Sequence, residues 1–327
     1  MRIFVTGGSG FVGSALVRRL VAEGHEVTAL ARSESSAQRV RAAGAVALRG
    51  DLADLADAAG AGWLAHLADI DAVVHTAAHM EFWGPDALFE RLNHAPTVAL
   101  HAAAVAAAGV RRFVLVSAAS VSTGSQRSPV VDESTPEGRP NIAYSRVKLA
   151  TERALLAAPA GSTELVVLRP PFIWGRGMAT IDGFVEAART GRFAWIDHGR
   201  HTVDMVHVDN LVTALVLALT RGRPGGVYHV TDGAPMPIRE FLVPLLATQG
   251  IDVSGSRSVP LAVAAPLAAA VDRAARVLRR RTAPPLTNWL VSFTGRDRAY
   301  DITAARRELG YVPGVTFEQG LAGMASA

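Results

Sequence analysis

Tyr144 and Lys148 are the two side chains whose types and spacing most directly suggest catalysis. They are four residues apart in an Ala-rich segment, 143–157, whose pattern predicts a helix, so both side chains lie on one face of it. A phenol with its ordinary pKa near ~10 is a poor base at pH 7, but a nearby ammonium favours the phenolate and lowers that pKa. The pair is therefore typical of a site where Tyr144 gives a proton to, or takes one from, a substrate oxygen.

A glycine-rich turn at residues 6–13 is the second chemical feature of the sequence. It follows an apolar run at 2–5 and precedes an apolar-periodic segment that begins at Ser14. Strand, glycine turn and helix in this order predict a dinucleotide-binding unit, with the phosphates at the helix N-terminus. The residues expected around the phosphates are Gly7, Gly10, Phe11, Val12 and Gly13.

Length and composition limit the class of protein. The chain has 327 residues, of which 50% are hydrophobic and 19% charged, and this favours a packed core in about two domains. It has no cysteine, which excludes disulfides, thiolate metal sites and cysteine nucleophiles. The net charge of +4 comes without an aromatic-interleaved basic patch, so we expect no nucleic-acid binding. No apolar run reaches the ~20 residues of a membrane span, and no signal peptide precedes the first strand, so we expect a cytoplasmic protein.

Short Val/Ile/Leu-rich runs alternate with Ala-rich helical segments through the first two thirds of the chain. This alternation predicts an α/β fold with a Rossmann-type, doubly wound parallel sheet. The predicted strands are 2–5, 26–30, 45–48, 72–74, 112–116, 165–168 and 227–230. The predicted helices include 14–22, 88–108 and 143–157.

The pattern changes near residue 175, where helical segments and proline-containing loops begin to dominate. We predict a dinucleotide-binding domain at 1–174, to which 203–232 returns, and a smaller, mostly helical substrate domain at 175–202 and 233–327. The substrate domain is expected over the carboxyl edge of the sheet, where ligands of such folds bind. Within it, segment 261–281 is typical of a packed helix, with a lid or peripheral membrane contact as the alternatives.

Motifs along nearly the whole chain resemble those of the extended short-chain dehydrogenase/reductase family. They are Tyr144 with Lys148, Asn93, and the segments 6–13, 50–52, 73–78, 168–175, 206–210 and 305–311. Segments 83–85, 168–171 and 284–287 look most like the 3β-hydroxysteroid dehydrogenase-like branch. The resemblance implies that Lys148 holds the nicotinamide ribose and that the chain forms a homodimer through helices of the large domain. It also implies further cofactor contacts by Asp51, Leu52, Ala77, Ala78, Pro170, Phe172 and Ile173.

One position departs from the family pattern. The family places a Ser or Thr after the fifth strand to hydrogen-bond the substrate oxygen, and the best register puts Ala118 there. Ser117 or Ser120 takes this role after a small backbone shift, or both serines are structural. Without such a donor, we expect turnover to fall by about 10²-fold.

The end of the predicted second strand indicates which nicotinamide cofactor is bound. An acidic residue here would favour NAD, but the sequence has Ala31 followed by Arg32 and Ser33. A guanidinium suits a 2′-phosphate through paired, charge-assisted hydrogen bonds. We therefore predict NADP, with NAD as the alternative.

Three residues are candidates for substrate contact. His79 follows the predicted fourth strand toward the cleft, and Trp83 and Trp174 fall in segments expected to border the pocket. The other histidines have no metal-ligand spacing, so no metal site is predicted. An aromatic lining suits a steroid, terpenoid, polyketide or aromatic carbonyl compound better than a nucleotide sugar.

These features together favour an NADP-dependent oxidoreductase that interconverts a secondary alcohol and a ketone on a small hydrophobic substrate. One alternative is a nucleotide-sugar epimerase or dehydratase with bound NAD. The other is a cofactor-binding protein of low activity, which the alanine at position 118 would favour.

Overall fold

A computed structural model describes residues 1–56, 61–81, 83–122, 130–137, 140, 142–159, 161–278, 280, 282–284 and 286–325. Its largest element is a seven-stranded sheet in which every pair of neighbours is parallel. The strands are β1 Arg2–Thr6, β2 Glu26–Ala31, β3 Val46–Arg49, β4 Ala72–His75, β5 Arg112–Val116, β6 Glu164–Arg169 and β7 Gly226–His229. The Rossmann-type fold class predicted from the alternating pattern is confirmed.

The strand order in the sheet is β7-β6-β5-β4-β1-β2-β3. The chain therefore builds outward from β1 to β3, and then crosses back to place β4 on the other side of β1. In open α/β sheets, the point where the order reverses leaves a crevice at the carboxyl ends of the strands, and ligands bind there. This topology puts the ends of β1 and β4 at the centre of the site.

Helices cover both faces of the sheet. Ile3 and Val5 of β1 pack in one apolar layer with Leu16 and Leu211, whereas Phe4 packs in the opposite layer with Leu100. The helices are α1 Phe11–Ala22, α2 Glu34–Ala42, α3 Asp86–Phe89, α4 Ala95–Ala106, α5 Ala143–Ala157, α6 Ile181–Arg189, α7 Val208–Ala218, α8 Ile238–Ala247, α9 Leu261–Val277, α10 Asn288–Thr294 and α11 Phe317–Ala325. Successive side chains of a strand point to opposite faces, which explains the two layers.

The predicted helix over 88–108 is wrong in one respect, because it is not continuous. A π-helical turn, Glu90–His94, separates α3 from α4. Asn93 in this turn accepts a hydrogen bond from the His79 backbone N–H (2.7 Å) and donates to the His79 carbonyl (3.1 Å). The widened turn thus positions a side chain that fixes the loop after β4, a use typical of π-bulges.

The C-terminal part of the chain combines helices with short strand pairs. Phe172–Trp174 pairs with Met205–His207, Trp195–Ile196 with Ser258–Val259, Thr202–Val203 with Met236–Pro237, and Ala299–Tyr300 with Val130–Val131. A separate apolar core here includes Trp174, Phe184, Trp195 and Phe241. Within the described ranges, no helix combines the length and apolar character needed to cross a membrane.

Candidate active site

The glycine turn after β1 brings three chain segments into close contact. Gly7 has a left-handed backbone, with φ of 74°, and a Cβ at this position would lie 2.8 Å from the Ala77 amide nitrogen. A Cβ on Gly13 would lie 2.1 Å from the Gly7 carbonyl oxygen. Such distances are below any tolerable contact, so both positions require glycine for the turn to pack against α1 and the end of β4.

The N-terminus of α1 opens directly into the cleft. Its N-cap is Gly10, which provides no side-chain hydrogen bond, and the first turn carries no acidic residue. As in any α-helix, the first backbone N–H groups have no carbonyl partner within the helix, and here no side chain of the N-cap takes their place. The helix dipole adds a partial positive charge at this end. The residues around this cradle that line the cleft are Gly7, Gly10, Phe11, Val12 and Gly13. The cradle fits the pyrophosphate of a dinucleotide.

Arg32 and Ser36 lie beside the cleft beyond the end of β2. Arg32 is exposed, and its guanidinium forms no ion pair with any residue that the structure describes. The nearby carboxylate of Glu34 is paired with Arg41 instead (2.8 Å). Ser33 does not line the cleft, because its hydroxyl caps α2 by accepting from the Ser36 N–H (3.2 Å).

The remaining predicted cofactor residues form the two walls of the same cleft. Asp51 and Leu52 follow β3, and the Asp51 carboxylate also accepts from the Ala53 N–H (3.0 Å). Ala77 and Ala78 follow β4 and oppose a segment that follows β6, formed by Pro170, Phe172 and Ile173. Each segment begins where a parallel strand ends, so the sheet places all of them at one edge.

Tyr144 and Lys148 project from α5 into the middle of the cleft. Both side chains are buried, and the Lys148 ammonium lies 6.0 Å from the centre of the Tyr144 ring. Lys148 Nζ donates to the Val116 carbonyl oxygen (2.9 Å) at the end of β5. Burial raises the pKa of Tyr144, so the lowered pKa expected from the neighbouring ammonium is wrong for this structure. Burial also lowers the pKa of Lys148 to about 8, against the opposing effect of Glu152. At neutral pH the site thus holds a neutral phenol beside an ammonium.

A buried ion pair that no sequence motif predicts lies one turn beyond Lys148 on α5. Glu152 is fully buried on α5 and accepts from Arg169 Nε at the end of β6 (3.0 Å). Arg169 also contacts Glu137 (3.3 Å), whose carboxylate binds Arg153 (2.6 Å). This network fixes α5 against the sheet, and because Arg169 neutralises Glu152, the carboxylate does not fully offset the burial of Lys148.

The three candidate positions after β5 all line the cleft but differ in their contacts. The Ser117 hydroxyl is buried and has no hydrogen-bond partner among the described residues. Ser120 accepts a hydrogen bond from the Ser145 hydroxyl (2.7 Å), next to Tyr144 in the chain. Ala118 packs in one apolar cluster with Tyr144 and Phe89, so a methyl group occupies the position where the family has a hydroxyl.

The structure brings one of the three predicted substrate residues to the cleft. His79 lines it, and His79 Nε2 is buried without a hydrogen-bond partner in the described part of the chain. Trp83 does not line the cleft. The prediction for Trp174 is wrong, because its indole is fully buried in the C-terminal core and donates to Asp232 (2.8 Å).

The C-terminal segments contribute cleft residues that sequence analysis missed. Arg298 donates to the Ser292 hydroxyl (2.7 Å), and no ion pair joins Arg298 to another described residue. Further missed residues that line the cleft are Met80, Asp204, Trp289, Phe293 and Tyr300. The whole cleft has a volume of about 640 Å³, within the range of small-molecule sites. No sequence motif marks these residues, because long-range packing alone brings them to the sheet.

His75, buried at the end of β4, has a structural role. His75 contacts Thr6 through Nδ1 and Thr97 through Nε2, both at 2.8 Å, and burial lowers its pKa to about 3. Over the described ranges, the structure groups no three His, Asp or Glu side chains that could hold a metal ion.

Comparisons with known proteins agree with this geometry. The sequence matches the NAD dependent epimerase/dehydratase family over residues 3–231. It is 39% identical over 323 residues to the 4-hydroxy-2-methyl-3-oxo-4-farnesyl-3,4-dihydroquinoline-1-oxide ketoreductase of Stigmatella aurantiaca, covering 98% of this chain and 95% of that protein. It is 36% identical over 332 residues to a 2-alkyl-3-oxoalkanoate reductase of Stenotrophomonas maltophilia, covering 98% and 97%.

A solved structure and more distant relatives complete the assignment. DesIV (dTDP-glucose 4,6-dehydratase) from Streptomyces venezuelae, with NAD and TYD bound, has a TM-score of 0.73 and 28% identity, covering 100% of this chain and 96% of that one. Sterol and 3β-hydroxysteroid dehydrogenases are also among the relatives. The chain therefore belongs to the NAD-dependent epimerase/dehydratase family of extended short-chain dehydrogenases/reductases, near its 3β-hydroxysteroid dehydrogenase-like branch, and is an NAD(P)-dependent oxidoreductase.

Proposed function

We propose that this oxidoreductase uses NADPH to reduce the ketone of a hydrophobic substrate to a secondary alcohol, and that it also runs the reverse reaction. The observation that carries the proposal is the buried Tyr144–Lys148 pair in a cleft whose other end is aromatic. Phe172, Trp289 and Phe293 line that end, with the Phe172 and Phe293 rings stacked at 4.8 Å. Such a lining favours an apolar ligand.

The proton chemistry follows from the state of Tyr144. Burial raises its pKa, so at neutral pH the phenol is protonated and is able to donate to a ketone oxygen. Hydride for the carbonyl carbon is the chemistry that a nicotinamide cofactor supplies when bound. The phenol O–H bond breaks as the alcohol O–H bond forms, and solvent later returns a proton to the phenolate. The ammonium of Lys148 stabilises that phenolate.

The preference for NADPH rests on Arg32. Its guanidinium is exposed beside the cleft, and the adjacent Glu34 is paired with Arg41. A 2′-phosphate would supply the negative charge that Arg32 lacks, whereas the two ribose hydroxyls of NADH would not. Ser36 also lines this end, but its hydroxyl already donates to the Ser33 carbonyl oxygen (2.8 Å), so Arg32 carries the preference.

The presence of Arg298 in the cleft indicates that the substrate carries a second polar group besides its ketone. Burial lowers the pKa of this guanidinium, which makes a negatively charged or carbonyl partner favourable. The arginine shares the aromatic end of the cleft with Phe293. One relative is named for a 3-oxoalkanoate, which bears both a ketone and a carboxylate. We propose that Tyr144 meets the ketone and that Arg298 binds a second oxygen.

Ala118 is the observation that favours a second candidate, a cofactor-binding protein of low turnover. Its methyl group packs in the same cluster as Tyr144, where the family has a hydroxyl. Ser120 supports the reductase instead, because it lines the same cleft and is partly exposed there, whereas the Ser117 hydroxyl is buried. A nucleotide-sugar epimerase is less well supported, because the substrate end is aromatic.

The test is a steady-state assay of NADPH consumption with a 2-alkyl-3-oxo acid, a 3-ketosteroid and an aromatic ketone. We expect turnover with at least one ketone, and formation of the corresponding secondary alcohol by mass spectrometry. UDP-glucose and dTDP-glucose, with NAD, are the comparison substrates. Conversion of a nucleotide sugar without any ketone reduction would overturn the proposal, and tight NADPH binding with no turnover would favour the low-activity alternative.

A further inference from the structure

Helix α9 exposes one side along its length in the part of the chain that the structure describes. Ala264, Ala268, Asp272 and Ala275 are buried at helical spacing, and the first two pack with Val291 of α10. Large apolar side chains along this exposed side and at its C-cap are 52–76% exposed. They are Val263, Leu267 and Val277 of α9 and the C-cap residue Leu278. Soluble proteins rarely expose such a stripe along a whole helix unless a partner covers it.

The charge on this exposed surface has one sign. Arg273, Arg276 and Arg280 are exposed at its C-terminal end, and none forms an ion pair within the described residues. The one acidic residue of the helix, Asp272, is buried and accepts from the Asn288 N–H (3.1 Å). Arg279 and Arg281 of the sequence lie outside the described residues. An apolar stripe that ends in a cationic cluster complements an anionic lipid surface.

The same helix lies beside the substrate end of the cleft. It packs on α10, whose Trp289 and Phe293 line the cleft. Its Arg276 donates to the Gly84 carbonyl oxygen (3.2 Å), in the loop that also contains the exposed cleft residue Met80. A surface that held α9 would therefore also lie near the aromatic end of the cleft.

We propose that the exposed face of α9 docks this protein on a membrane containing anionic phospholipids, and that hydrophobic ketones reach the cleft from the lipid. With 17 residues, α9 lies on the surface and does not span it. The apolar stripe enters the interface, and the arginines bind lipid headgroups. The second half of this proposal rests on the proposed ketoreductase function, whereas the docking itself does not.

Vesicle flotation of the full chain tests the docking without any substrate. We expect the protein to float with phosphatidylcholine vesicles that contain phosphatidylserine, and to float far less with phosphatidylcholine alone or at high salt. Leu267→Glu with Val277→Glu, and separately Arg273→Glu with Arg280→Glu, should each lower binding about tenfold or more. Val312→Glu is the matched control, because Val312 is 69% exposed but lies outside α9.

Reduction of a water-soluble ketone is measured alongside and should be unchanged in these variants, which shows that the fold and the site are intact. With substrate dissolved in vesicles, the α9 variants should lose turnover in step with vesicle binding. Absence of vesicle binding by the wild type, or equal binding by the variants, would overturn the proposal. So would a dimer that Leu267→Glu dissociates without any vesicle binding, because a second copy would then cover the stripe. Docking without ketone turnover would overturn the ketoreductase assignment and leave the docking intact.

Discussion

The two ends of the cleft are built in different ways. At the cofactor end, backbone forms the surface, because Gly7, Gly10 and Gly13 hold the chain close to the start of α1. At the substrate end, side chains from distant segments form the surface, among them His79, Phe172 and Arg298. The cofactor end should therefore be sensitive to any added atom, and the substrate end to the chemical character of its side chains. Tyr144 and Lys148 lie where the two ends meet.

The largest effect on turnover should come from substituting Tyr144, which lies where the two ends of the cleft meet. Tyr144→Phe removes the proton donor and should lower kcat by roughly 10²–10⁴-fold, while NADPH affinity stays within a factor of about two. Steady-state kinetics and fluorescence titration measure the two quantities. Tyr228→Phe is the control, because that hydroxyl binds Glu308 (2.6 Å) and does not line the cleft. Retention of full turnover by Tyr144→Phe would contradict the assigned role.

Adding one methyl group should destabilise the protein at the cofactor end of the cleft but not at an open position elsewhere. Gly13→Ala puts a Cβ against the Gly7 carbonyl and should lower the free energy of unfolding by about 1–3 kcal/mol, with loss of NADPH affinity. Gly323→Ala, in helix α11 with no atom within 4 Å of its Cβ, should instead stabilise the protein by up to ~1 kcal/mol. Thermal unfolding with and without NADPH measures both, and equal behaviour of the two variants would refute the comparison.

The side-chain-built end should respond to a change of charge. Arg298→Met should lower kcat/KM for an oxo acid by about 10–100-fold, the value of a charge-assisted hydrogen bond, with most of the change in KM. NADPH affinity should not change. Arg296→Met is the matched control on the exposed neighbour. If the effect fell on NADPH affinity instead, Arg298 would belong to the cofactor end.

The smallest effect concerns pH. The pKa of about 8 for Lys148 means that the ammonium is present below that pH and that about a tenth remains one unit above it. Ketone reduction should therefore decline as pH rises through about 8. The fold should not weaken over the same range, because Lys148 loses its proton more readily in the folded protein than in the unfolded chain. Its contribution to the free energy of unfolding therefore rises as the pH increases from about 8 to 10.5. A profile of kcat against pH that stays flat to pH 9 would contradict a catalytic role for the Lys148 ammonium.

The cofactor end was largely predictable from sequence, because its features are local. The glycine turn and the apolar runs of the strands lie within short segments, and a parallel sheet brings their ends to one edge. The substrate end was not predictable, because it depends on packing between distant segments. Trp174 shows this, since an aromatic residue in the right segment went to the core and not to the cleft.

Other differences have the same cause. The break in the helix over 88–108 depends on hydrogen bonds between Asn93 and His79, which no periodicity reveals. Arg298 is 150 residues from Lys148 in the chain, and only the fold places both in one cleft. The homodimer that the family resemblance implies stays a prediction.

The most direct test of the central claim is a fluorescence titration of the purified protein with NADPH and NADH, after a check for retained cofactor. We predict an empty site and at least about tenfold tighter binding of NADPH, because the charge-assisted bonds of Arg32 to a 2′-phosphate are worth ~1.5–3 kcal/mol. Arg32→Ala should remove this preference without weakening NADH. Retained NAD, or tighter binding of NADH, would contradict the proposal of an NADPH-dependent reductase. It would favour the nucleotide-sugar epimerase instead.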